Sequence, residues 1–207
     1  MYFQFKNCKV KSISNLKSTL LHAILISTTL LFVSSCTETN KPEDTKKVAE
    51  DHNVAKFSNT ATEHDAQFLV NAAEINLEEI KLGAMVENSA MMPEVKKLGE
   101  MMEDAHTKMM KDLTALSKKK LITLPDSVTN NSLSNYKSLL AKKGMAFDKA
   151  YCDMMVTGHK AALKAYETAA TECVDVDIKA YALASVPDLR MHLDKAITCQ
   201  KNCEKMK

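Results

Sequence analysis

Residues 93–119, PEVKKLGEMMEDAHTKMMKDLTALSKK, decide the fold. Val95, Leu98, Met102, Ala105, Met109 and Leu116 recur at steps of three, four and seven, so they share one face of a helix. Pro93 suits the first turn, where its missing N–H has no partner to lose. The same period extends to both sides. Upstream, Phe68, Ala72, Ile75, Leu82 and Val86 predict a helix over about residues 65–90. Downstream, LITLPDSVTNN (121–131) interrupts the pattern at Pro125, and a short helix over about 132–143 is expected to end at Gly144 as its C′ glycine. A third long helix, about 145–172, carries Phe147, Tyr151, Met154, Met155, Ala162, Tyr166 and Ala169. A fourth starts at a capping Asp175 or Asp177 and runs to about Lys201, with Pro187 expected to bend it near Ala184. Four long amphipathic helices in two hairpins, joined by a short crossover helix, predict an all-α four-helix bundle over residues 63–204. No internal repeat is legible.

Composition agrees. A chain of 207 residues with 4 Gly, 4 Pro and no Trp lacks the turn formers of a sandwich or barrel. An apolar content of 45% is enough for a core and excludes wholesale disorder. The net charge of +2 gives no basic excess, so nucleic acid is not an expected partner.

Residues 1–35 read as a signal peptide. Lys6, Lys9, Lys11 and Lys17 precede an uncharged stretch, Ser18–Ser35, that is too short in its apolar part for the ~20 residues of a spanning helix. It closes on Val33-Ser34-Ser35-Cys36, which resembles the lipobox of bacterial lipoproteins. That resemblance implies a diacylglyceryl group on Cys36, cleavage before it, and acylation of the new amine. The chain is then expected on a membrane of the bacterial cell envelope, at the outer membrane or the periplasmic face, held by its lipid anchor. Losing four of the 28 basic residues leaves 24 against 26 acidic ones, a formal charge of −2. Residues 36–62 follow as the lipidated cysteine and a disordered tether, polar and poor in large apolar groups, with His52 solvated.

Polar residues on the core-facing stripes are the candidate site. His106 lies four after Met102 and three before Met109, and His159 lies four after Met155 and three before Ala162. His192 falls in the run Ser185, Leu189, His192, Ala196, Cys199, Cys203, and Glu79 sits between Ile75 and Leu82. Counted from the turns, all four fall near the middle of helices about 40 Å long. Inward polar groups at one level are what a metal site in a bundle requires. Imidazole with the thioethers of Met102 and Met155 suits Cu(I), whereas three histidines with Glu79 suit Zn(II) or another divalent ion. Copper, zinc and iron are the candidate cofactors. The alternative is a structural or protein-interaction module without metal, its methionines filling gaps and its histidines hydrogen-bonded in the core. A di-iron carboxylate site is not expected: Glu103 stands three before His106, but Val156 and Leu189 hold the matching positions before His159 and His192.

Cys152 and Cys199 fall at similar heights, about 32 and 36 Å from the second turn, and are a possible disulfide. Cys173 sits in that turn. Cys199 and Cys203 share a helix face, but two thiols form only half of a tetrahedral site. No Cys–His nucleophile arrangement, Gly-rich phosphate loop or Gly-x-Ser-x-Gly elbow occurs, so catalysis is not expected.

An ordered series, Ala72-Ala73, Glu79-Ile80-Lys81-Leu82-Gly83, Met102 through His106, Leu124-Pro125, Phe147-Asp148-x-x-Tyr151, His159-x-x-Ala162 and Leu189-x-x-His192-Leu193, resembles bacterial domain of unknown function 4142. The resemblance spans about residues 64–200. It implies a ferritin-like four-helix fold in a secreted or envelope-anchored protein and brings no settled activity. Ala105 stands where the family often has Asp.

Overall fold

Helix ends are set by local hydrogen bonding. In the computed structural model, which describes residues 43–57 and 59–206, six helices follow: α1 (Thr45–Lys56), α2 (Thr60–Ser89), α3 (Pro93–Lys120), α4 (Asn130–Leu140), α5 (Met145–Glu172) and α6 (Val176–Lys205). The expected signal peptide and Cys36 lie outside the described residues. Asn59 caps α2 by accepting from Ala61 N, which starts that helix earlier than its first apolar residue suggests. Asp175 caps α6 through Asp177 N and Ile178 N. Pro187 lies inside α6, which continues past it; Pro187 and Leu183, whose carbonyl it leaves without a donor, are both exposed to water.

Helices α2 and α3 form one antiparallel hairpin and α5 and α6 the other; α3 packs on α6 and α2 on α5, with α4 crossing between them. The four-helix bundle read from the periodicity is the fold. Gly144 departs from its expected place. The short helix already stops at Leu140, and Gly144, at φ 55°, begins α5. Glycine adopts that left-handed backbone without strain.

The tether also needs correcting, because residues 45–56 within it are helical. Helix α1 docks on α2 mainly through polar groups, which apolar periodicity does not reveal. Asp44 caps it, Ala49 and Asn53 are buried, and Lys46 pairs with Glu74. The Asn53 amide exchanges two hydrogen bonds of 2.9 Å with the backbone of Thr123. His52 is exposed, as expected.

Two aspartates pin the hairpin turns from the opposite hairpin. Asp148 accepts from Met91 N at 3.0 Å and Met92 N at 2.7 Å, and Asp65 accepts from Val174 N at 3.1 Å and Asp175 N at 2.7 Å. Each carboxylate satisfies two backbone donors in a turn that offers them no acceptor of its own. Helices α2 and α3 approach closely at a glycine pair: a Cβ on Gly83 would lie 2.6 Å from Gly99 O, and one on Gly99 would lie 2.7 Å from Val86 Cβ.

The core divides along its length. One apolar half, near the α2–α3 turn, includes Val86, Leu98, Met102, Phe147, Met155 and Ala196. The other, near the α5–α6 turn, includes Phe68, Leu69, Met109, Leu113, Ala162 and Leu189. The buried Asn76, Glu79, His106, His159 and His192 fall between them in sequence on every long helix.

Candidate metal centre

The layer between the two halves is built by helix register. On α3, His106 follows Met102 by one turn and precedes Met109; on α5, His159 stands likewise between Met155 and Ala162; on α6, His192 stands between Leu189 and Ala196. The three rings converge, with centroids 5.5, 5.3 and 5.5 Å apart. One ligand atom from each lies within 4.8 Å of the others, and all three rings are buried.

Outer partners fix the protons. His159 Nδ1 lies 2.9 Å from the Met155 carbonyl, which accepts only, so that nitrogen donates. His106 Nδ1 lies 2.8 Å from Asn76 Oδ1 and donates likewise. Both rings therefore turn an unprotonated Nε2 inward, and these two atoms are 3.3 Å apart. Two lone pairs facing each other repel unless a cation lies between them. Nitrogens bound at about 2.0–2.1 Å to one tetrahedral ion stand about 3.3 Å apart, the separation found here.

Burial, followed by the other two imidazoles, holds His106 well below the usual histidine range. Burial also brings His159 down to about 4 and lowers His192. Neutral imidazole is the ligating form. Among the described residues, the buried side-chain polar atoms with no partner are Asn76 Nδ2, Glu79 Oε2, Tyr151 Oη, Tyr166 Oη and His192 Nδ1. Asn76, Glu79 and His192 belong to the layer itself, and the two tyrosines flank His159 along α5 by about 10–12 Å.

Glu79 stands behind the cage rather than in it. Its Oε1 is 3.8 Å from His159 Nδ1, on the side away from the inward nitrogens, and it is not one of the three converging groups. Burial first, then Glu78, raises its carboxyl to about 8. Gly158 lies beside it, where a Cβ would be in ordinary contact at 3.5 Å from Oε1. Met102 and Met155 are fully buried in the apolar half beside the layer, and Met155 serves through its main-chain carbonyl. Sequence reading missed Asn76, although a signal existed. Asn76 follows Asp65 by eleven residues, as His159 follows Asp148, so the two hairpins repeat one spacing from turn-pinning aspartate to central layer.

Two further donor groups occur. Cys152, Cys199 and Cys203 are free, buried thiols with sulfurs within 4.8 Å of one another, so the pair weighed from sequence is a trio. The neighbouring Cys199 sulfur raises the Cys152 thiol, and Cys152 in turn lowers that of Cys199. Cys173 lies in the α5–α6 turn near His64 and Asp65, but the Asp65 carboxylate is already occupied by backbone donors. Among the described residues no helix is long and apolar enough to cross a membrane.

A family model described as a domain of unknown function (DUF4142) matches residues 50–198, which takes in the end of α1 and all three histidines. No curated protein and no solved structure gives a significant match.

Proposed function

The chain belongs to the DUF4142 family, and on that premise we propose that it is an envelope lipoprotein whose bundle holds one divalent transition-metal ion between His106, His159 and His192. One observation carries the reading: two inward Nε2 lone pairs, each fixed by a proton on the opposite nitrogen, stand 3.3 Å apart in a buried layer. Zinc is the first candidate, because three neutral imidazoles around an ion with one further position suit it, and copper or iron would use the same nitrogens. Asn76 and the Met155 carbonyl orient the rings from outside. Burial of all three ligands suits an ion held for structure or sequestration. Anchoring rests on the lipobox-like Val33-Ser34-Ser35-Cys36.

Elemental analysis tests the cage. The full chain, stripped with chelator and loaded separately with Zn(II), Cu(II) and Fe(II), should retain one ion per chain. His106→Ala/His159→Ala/His192→Ala should retain none, and stoichiometry unchanged in that variant overturns the site. Cys36→Ser should move the protein from the membrane fraction to the soluble one; continued membrane retention overturns the anchor.

A further inference from the structure

A second donor group lies near the α2–α3 turn. Cys152 of α5 and Cys203 of α6 place their sulfurs 3.8 Å apart, and Met92, at the turn, places its Sδ 3.7 Å from that of Cys203. Cys199, one helical turn before Cys203, completes the thiol trio within 4.8 Å. All four side chains are buried. Two sulfurs bound at about 2.3 Å to one tetrahedral ion stand about 3.8 Å apart, so this spacing already suits a shared ion. A disulfide would need Cys152 to close to about 2.05 Å on one partner and would leave the third thiol and the thioether unused.

We infer that Cys152, Cys199, Cys203 and Met92 form a site for Cu(I), separate from the histidine layer. The thioether decides the ion: zinc sites draw on thiolate, imidazole and carboxylate, whereas soft thioether sulfur favours Cu(I). No nitrogen or carboxylate ligand belongs to the cluster. Each thiol that ligates releases its proton, and the ion keeps its oxidation state throughout. A surface groove leads to Cys199. Leu98 and Met101 line it with Glu94, Lys97 and Lys195, so a second thioether stands along the route and the groove beside the cluster carries two cations against one carboxylate. The family match ends at residue 198, so Met92 and Cys152 lie inside it while Cys199 and Cys203 lie beyond it, and the complete donor set is not contained in the matched stretch. The inference does not depend on the histidine cage.

The experiment uses the reduced full chain, in detergent and without oxygen. Cu(I) is titrated against a competing Cu(I) chelator, and the bound ion is examined by X-ray absorption. One Cu(I) surrounded by sulfur alone is expected. Met92→Leu and Cys203→Ser should each weaken it about tenfold or more, while the three-histidine variant binds it as before. Nitrogen scatterers at the copper, loss of Cu(I) in the histidine variant, or equal Cu(I) affinity in Met92→Leu each overturn the assignment. So does Zn(II) displacing Cu(I) at equal concentration. A Cys152–Cys199 disulfide that persists under reductant overturns it too. Should Cys203→Ser fail to fold, the wild-type absorption spectrum and Met92→Leu still decide.

Discussion

The histidine layer and the cysteine corner are both buried trios whose donor atoms lie within 4.8 Å, yet they are different kinds of place. The imidazoles stand between the two apolar halves, and two of them, His106 and His159, are held from outside by Asn76 and the Met155 carbonyl. The thiols are members of one apolar half, packed with Phe147, Tyr151 and Val156. A thiol behaves as a small hydrophobe and is content in such company without an ion. Imidazole is polar and needs partners when buried, and the layer carries unpaired polar atoms at Asn76, Glu79 and His192. Proximity of donors therefore has to be joined to their chemistry: thioether and thiol at the corner, oriented imidazole in the layer. Outer hydrogen bonds add information that proximity lacks, because they fix which nitrogen carries the proton and so which lone pair faces inward.

Acid should separate the two regions most. In the metal-free protein the histidines have depressed values when folded, so unfolded chains bind more protons as pH falls from about 6.5. Lowering His159 to about 4 makes its share of the stability lost on acidification roughly 3 kcal/mol. Glu79 acts in the opposite sense. Its value is raised to about 8, so its contribution is full below its unfolded value of 4.5 and fades as pH rises through 8. Metal-free stability should therefore peak near the ordinary histidine value, about 6.5, in urea titrations across pH. The acid limb should disappear with the three histidines and survive replacement of the three cysteines; an acid limb unchanged in the histidine variant breaks the comparison.

Metal loading comes next. At free Zn(II) a hundredfold above its dissociation constant, unfolding should require about 2.7 kcal/mol more, and chelator should remove the gain. The gain should be absent in the histidine variant and intact in the cysteine variant, as read by thermal melts. Smaller effects probe the framework that holds each trio. Asp148→Ala, beside the cysteine corner, and Asp65→Ala, at the far turn, should each lose about 2 kcal/mol in urea unfolding, since each orphans two backbone donors. Unequal losses would show that one half of the bundle carries more of the stability. Gly99→Ala should lose about 1–3 kcal/mol, because its Cβ meets the inflexible Val86 Cβ. Leu121→Gly should be the mildest and opposite in sign, gaining about 0.5–1 kcal/mol where α3 ends in left-handed backbone at φ 57°.

The long helices were legible because each buries a continuous stripe, and a stripe leaves its period in the sequence. Helix α1 was not, because Asn53, Lys46 and Asp44 dock and cap it through hydrogen bonds and charge, which have no period. The three histidines were legible as polar interruptions of apolar stripes at matching heights. Asn76 was hidden because an asparagine beside Ile75 is unremarkable until His106 is seen against it. Glu79 was assigned the right depth, but depth does not say on which side of an imidazole a carboxylate will lie.

The sequence by itself determined the helical bundle, its two hairpins and the level at which imidazoles interrupt the core, since all of these follow from residue spacing along single helices. Only the tertiary structure decided which nitrogens face inward, which group stands behind them, and that Met92 and three cysteines meet at one corner. Those are relations between helices, set by rotation about each axis and by rotamer choice against neighbours, and a one-dimensional period contains neither.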